Sequence, residues 1–208
     1  MSDDRVTRRL LAAGSLLLSY PDATTVERLP LVREHVAELP HASRAPLGRF
    51  VDWLEATDVL QAQAHYVEIF DRRRKACLYL TYFLNGDTRG RGMALVGFKE
   101  EYQKVGFTIG SGELPDFLPV VLEFGAVGDL DAALLVLGRY RAGLELLHHA
   151  LDGFGSPYAD VVAALLPVVP VGVEGPKAAE LAASGPPTEM VGLTPFIPVE
   201  SLRVGART

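Results

Sequence analysis

"CLYLTYFLNGDTRGRG", residues 77–92, sets an uncharged apolar run against a glycine-flanked loop that carries Arg89 and Arg91. Wound as a helix, the run places Cys77, Leu80 and Leu84 on one side and Tyr79, Tyr82 and Phe83 on the other. A helix that is apolar all round belongs in the middle of a bundle. Asn85-Gly86 supplies a left-handed stop. Asp87 or Thr88 can then cap a following helix, with Leu95, Phe98, Tyr102 and Val105 as its buried stripe before Gly106. The stretch therefore predicts a buried helix, a tight corner and a new helix start.

The same period continues in both directions. Val6, Leu10, Ala13, Leu17 and Tyr20 recur at gaps of four and three, the stripe of an amphipathic helix ended by Pro21. Arg8-Arg9 before an apolar run also has the form of a twin-arginine export signal. However, Asp3 and Asp4 acidify the leader and no small-x-small cleavage site follows. A second helix is expected over 22–39, stopped by Pro40, and a third over 46–56. A fourth, capped by Asp58, has Val59, Ala62, Tyr66, Ile69 and Phe70 on one face. In "GSGELPDFLPVVLEFGA", residues 110–126, Asp116 as N-cap puts Pro119 at the third helical position, where a missing N–H costs nothing. Leu118, Val121, Leu122 and Gly125 then face inward. A longer helix from Leu130 carries Leu134, Leu137, Leu144, Leu147 and Leu151, and Pro157 starts a short last helix through Leu166. Nowhere does sustained period-two alternation call for a sheet. The expectation is an all-α, single-domain helical bundle over 1–166 with a Pro/Gly-rich, largely irregular tail over 167–208. Within the tail, "EMVGLTPFIP" (189–198) is an apolar island suited to docking.

Composition limits what such a bundle can do. The chain has 208 residues, 49% of them hydrophobic, enough for one sizeable core. A formal net charge of -6 argues against a general nucleic-acid binder, which needs dominant positive charge. The single cysteine, Cys77, rules out an intrachain disulfide and leaves a thiolate zinc site without partners, as suits a cytoplasmic protein. No uncharged run reaches the roughly twenty residues that span a bilayer, so membrane contact would be through a partner.

Catalytic candidates are few. His65 and Glu68 lie three apart on one helix face, and His148-His149 sit late in another, which leaves a carboxylate-imidazole metal site conceivable. Satisfied or exposed histidines are the simpler reading. Asp116 and Glu123, seven apart, could divide acid and base roles, but no nucleophile, oxyanion hole or clamp accompanies them. "RRRK", Arg72 to Lys75, could join Arg89 and Arg91 in a basic rim or be a solvated charge run. "GDTRGRG" lacks the phosphate-loop spacing and follows a helix rather than a strand.

Together, "YVEIFDRRRKACLYLTYFLNGDTRGRGMAL" and "ELPDFLPVVLEFGA" resemble the NarJ family, the delta-subunit assembly chaperones of respiratory molybdenum nitrate reductase. The likeness rests on Tyr66, Phe70 and Asp71, on "CLYLTY" with Gly86-Asp87-Thr88-Arg89 and Arg91-Gly92, and on "LPD" followed by "LPVVLEF". It implies an all-helical protein of the redox-enzyme maturation superfamily that includes the TorD and DmsD types. Such a protein is not an enzyme. It holds the N-terminal segment of the catalytic (alpha) subunit, alone or in the alpha-beta complex, ready for insertion of bis-molybdopterin guanine dinucleotide, before membrane docking. Another molybdoenzyme, of the dimethyl sulfoxide or trimethylamine oxide reductase type, is the alternative client. On this resemblance the chain is a cytoplasmic monomer or weak homodimer. The expected partner groove uses Tyr66, Phe70, Tyr79, Tyr82 and Phe117 for apolar contact with an amphipathic helix. Glu68, Asp71, Asp116 and Glu123 orient its basic side chains, and Arg89 and Arg91 can touch partner or cofactor. In the wider superfamily a histidine commonly follows the "PD" carboxylate, where Phe117 stands here.

Overall fold

The computed structural model describes residues 2–85, 89–110 and 112–172. They form helices α1 (Ser2–Leu17), α2 (Ala23–Glu27), α3 (Leu29–Ala37), α4 (His41–Ala56) and α5 (Val59–Tyr66). After a π turn (Val67–Asp71) and a 3-10 turn (Arg74–Ala76) come α6 (Leu80–Asn85), α7 (Arg89–Lys104), α8 (Leu118–Val127), α9 (Leu130–Arg139), α10 (Arg141–Gly153) and α11 (Tyr158–Leu165). The described residues contain no strand, only an isolated antiparallel bridge between Tyr79 and Phe117. The all-α expectation holds.

The centre of the bundle is α8 rather than the 77–85 run. Leu118, Val120, Val121, Leu122 and Phe124 are all buried, so α8 is covered on nearly every side. Helix α1 packs against it, with Leu10, Leu11 and Leu17 buried, and α11 packs against both α4 and α1. The α1–α8 approach is close because Gly125 has no side chain. A Cβ there would stand 2.6 Å from Leu11 Cδ1 and 2.8 Å from Ala133 Cβ. At the end of α8, Arg8 donates from Nη1 to the carbonyls of Gly125 (3.1 Å), Ala126 (3.2 Å) and Gly128 (3.1 Å). One cation thereby satisfies acceptors that a helix end leaves open, at the negative end of its dipole.

Several boundaries differ from the sequence expectation. The helix expected over 22–39 is broken at Arg28, so that Pro30 falls in the first turn of α3, where no N–H is required. Helix α4 starts at His41 rather than Pro46, and Pro46 lies buried inside it. The helix expected from Leu130 breaks at Tyr140, whose N–H donates to Val136 and Leu137 and whose ring packs on Phe98 at 5.7 Å. Val105, expected in a buried stripe, is exposed, whereas Phe98 and Tyr102 of α7 are buried. Gly106 has φ 70, the left-handed stop that glycine permits. The cap expected at Asp87 or Thr88 and the island at 189–198 lie outside the described residues. At the other end Val169 is buried, and Arg141 Nη1 donates to its carbonyl (2.5 Å) and to that of Leu166 (3.0 Å).

Candidate functional site

The run at 77–85 is half extended and half helical. Cys77 has φ -60 and ψ 132, and pairing begins two residues later. Leu80 N–H donates to Asp116 O (3.0 Å) and Leu118 N–H to Leu78 O (2.8 Å), on either side of the Tyr79–Phe117 bridge. The partner segment, residues 114–118, is kept out of a helix by two prolines. Pro115 biases Leu114 toward extended backbone, and Pro119 confines the start of α8 to the residues beside it. Asp116 is accordingly not the cap of α8. That place belongs to Phe117, with no side-chain cap bond. Asp116 instead crosses to the other element, where its Oδ2 accepts from Thr81 Oγ1 (2.5 Å) and Thr81 N (3.3 Å). Thr81 is the second residue of α6, so Asp116 caps that helix from 35 positions away in sequence.

This carboxylate is wholly buried. Arg91 Nη2 stands 3.9 Å from Oδ2, and the guanidinium lies 5.5 Å from the centroid of the Tyr79 ring. Asp116 Oδ1 and Arg91 Nε are both buried without a hydrogen-bond partner. The loop is fastened from α7 as well, since Tyr102 donates from its hydroxyl to Pro115 O at 2.5 Å. Above this frame the rings of Tyr79 and Phe117 pack at 5.4 Å, both half-buried. Burial raises the Tyr79 hydroxyl, helped by Cys77, Asp116 and Asp71 and opposed by Arg91. Burial likewise raises the Cys77 thiol, which is thus poorly suited to act as a nucleophile.

A second aromatic group adjoins the first. Tyr66 is buried, donates its hydroxyl to Leu18 O (3.2 Å) and packs on Phe70 at 4.7 Å. Phe70 meets Tyr158 at 4.8 Å, and Trp53, Phe50 and His65 complete the cluster. Burial, then Asp71 and then Tyr79, push the Tyr66 hydroxyl up, so Asp71 acts on both aromatic groups. Asp71 is exposed. Glu68 is engaged by Arg72 (3.4 Å) and Arg73 (3.0 Å). Arg73 also lies 4.6 Å from the centroid of the Phe154 ring. The cations of "RRRK" therefore do not open an α-helix; Arg72 and Arg73 precede a single 3-10 turn of which Arg74 and Lys75 are part.

Of the residues expected at the site, the fold brings Tyr79, Asp116, Phe117 and Arg91 into one group and Tyr66 and Phe70 into its neighbour. Tyr82 projects from α6 beside Phe83 at 6.0 Å. Glu123 is exposed on α8, whereas Asp116 precedes that helix and is turned to Thr81, so the two do not stack on one helix face as an acid–base pair would need. The side chain of Arg89 lies outside the described residues. Thr81, Trp53 and Tyr158 went unmarked in the sequence. A lone threonine inside "CLYLTYFL" was the available signal, because a buried hydroxyl requires a partner.

His65 is not set up as a metal ligand. Its Nε2 shares a 2.9 Å hydrogen bond with Ser156 Oγ and its ring stacks on Tyr158. Among the described residues no three His, Cys, Asp or Glu side chains gather as a metal site would need. Burial first, and Arg73 second, lower the pKa of His65 below 6.5, against the pull of Glu68. The folded state therefore favours the neutral ring, and its contribution to stability is complete above pH 6.5 and lost as pH falls below it. Urea titrations should show a falling midpoint on acidification below that pH, with a shallower fall in His65→Gln. Equal slopes would remove His65 from the account.

The chain matches the model of the family described as nitrate reductase delta subunit over residues 36–164. A protein of Mycobacterium tuberculosis named nitrate reductase-like protein NarX is 41% identical over 152 residues, 73% of this chain and 23% of that protein. This chain thus spans under a quarter of the mycobacterial relative. The Bacillus subtilis protein named probable nitrate reductase molybdenum cofactor assembly chaperone NarJ is 34% identical, covering 74% of this chain and 85% of the relative. Its Escherichia coli K12 namesake is 36% identical over 173 residues, 82% of this chain and 73% of the relative. Among solved structures, a chain assigned as a redox enzyme maturation protein from Archaeoglobus fulgidus superposes with TM-score 0.58 at 23% identity. The overlap covers 77% of this chain and 91% of that one and shows a common fold. Among the described residues, no helix is long and apolar enough to cross a membrane.

Proposed function

The chain belongs to the nitrate reductase delta subunit family, and on that footing we propose that it is an assembly chaperone for a respiratory nitrate reductase. It grips the N-terminal segment of the catalytic subunit while the molybdenum cofactor, as bis-molybdopterin guanine dinucleotide, enters that client. The observation that carries this reading is the half-exposed Tyr79–Phe117 pair, standing on a backbone frame held by the buried Asp116.

Binding follows from the division of labour among these residues. Tyr79, Phe117, Tyr82 and Phe70 offer partly open rings to the apolar face of a client helix. Asp71, Glu68 and Glu123 meet its basic side chains, which favours one orientation and a faster encounter. Tyr66 and Asp116 act from beneath, through Leu18 and Thr81, and keep the platform in shape. Arg91 is turned toward Asp116 and Tyr79 and serves that frame rather than a cofactor phosphate. No proton transfer or bond cleavage is assigned to the chain.

Calorimetric titration with a peptide copying the first residues of the catalytic subunit from the same source tests the assignment. Phe117→Ala and Tyr79→Ala should each weaken binding about tenfold, roughly 1.4 kcal/mol. Binding should also decline with added salt as the carboxylates are screened. Unchanged affinity in both folded variants would move the client elsewhere on the surface.

A further inference from the structure

A cavity of about 270 Å³ opens on the last two turns of α10, and neither Tyr79 nor Phe117 lines it. It is lined by Phe83, Leu146, Ala150 and Phe154 with Lys75 and His149 at its rim. Lys75 is exposed and no carboxylate of the described residues pairs with it. The groove is thus apolar within and positively charged at its edge. We propose that its occupant is the chain's own segment 189–198, docked in cis.

Three observations favour this occupant. The segment reads "EMVGLTPFIP", so Met190, Val191, Leu193, Phe196 and Ile197 supply apolar groups, while Glu189 and Glu200 flank them with the charge Lys75 lacks. Reach is sufficient. Arg141 ties Leu166 and Val169 to the first turn of α10, so the chain leaves the bundle near the N-terminal end of that helix, three residues before Gly172. Helix α10 has 13 residues, a length of ~20 Å. The 17 residues from Gly172 to Glu189 can span up to ~56 Å. Tethering also raises the effective concentration to about the millimolar range, so weak pairing is enough to fill the groove. An apolar groove between α1 and α3 is a poorer match, because its cation Arg9 is already paired with Glu38.

The test uses the full chain with Cys77→Ala and Ser201→Cys, carrying a nitroxide on the new thiol. Amide signals of the α10 residues 146–153 should lose intensity selectively, and Phe196→Asp should restore them. Ala150→Glu should restore them as well by placing a like charge in the groove, and Phe196→Asp carries the test alone if that variant does not fold. Uniform loss over the surface, or loss confined to α1 and α3, would overturn the proposal. So would equal loss when spin-labelled and isotope-labelled chains are separate molecules, since docking would then be between copies.

Discussion

Asp116→Ala should lower the free energy of unfolding by about 3 kcal/mol, the lower end of the cost of breaking a buried charge pair. Several debts fall due together. Thr81 loses the acceptor of its hydroxyl and of its backbone N–H, so α6 loses its cap. Arg91 loses its counter-charge, although about a fifth of its side chain reaches water and softens the loss. Asp116→Asn keeps an oxygen for Thr81 and should cost about half as much, which separates the cap from the charge. Urea unfolding with an unchanged slope is the measurement. An alanine variant within about 1 kcal/mol of the parent would mean that the bridge, not the carboxylate, holds the frame. Because the half-open rings of Tyr79 and Phe117 stand on that frame, client binding should weaken in the alanine variant even where it remains folded.

Gly125→Ala should cost about 2 kcal/mol, although alanine is the better helix former. Its Cβ would meet Ala133 Cβ at 2.8 Å, a methyl fixed to a helix backbone that has no rotamer in which to retreat, and Leu11 Cδ1 at 2.6 Å. The helices themselves must separate. Gly97 in α7 is the control: a Cβ there meets nothing within 4 Å, so Gly97→Ala should gain about 0.5–1 kcal/mol. If the two substitutions behave alike, the close approach of α8 to α9 and α1 at Gly125 is not a determinant of stability.

The contrast between these glycines also marks what could be read from sequence. Period alone identified most helices and their buried faces, because burying an apolar stripe is a local property of spacing. Leu118, Val121, Leu122 and Gly125 face inward as expected. Where long-range pairing competed with spacing, period misled. "CLYLTYFL" has the composition of a buried helix, yet its first residues are extended because the proline-bounded 114–118 segment offers backbone partners. The same competition moved Asp116 from local cap to distant one, a choice that depends on where Thr81 sits in space. Tyr79 and Phe117 were legible as a pair only through the family likeness, and Arg91 was not legible as their neighbour at all. Their contact arises from the bridge, which no spacing rule encodes.

The clamp of Arg8 on the end of α8 carries a consequence for synthesis. Residues joined there are separated by 117 to 120 positions, and α1 is also covered by α11. At about 5–20 residues per second, a ribosome needs roughly 7–30 s to make the stretch between α1 and the end of α11. For much of that interval α8 and α11 are still missing and α3 alone of the partners of α1 has been made, so the apolar face that α8 covers stands open behind two arginines. The nascent chain then presents the features that export machinery inspects, and only completion of the bundle withdraws them. A slowed ribosome or a truncation before α8 should therefore prolong exposure of this helix to targeting factors and holdases, a liability that the finished protein no longer displays.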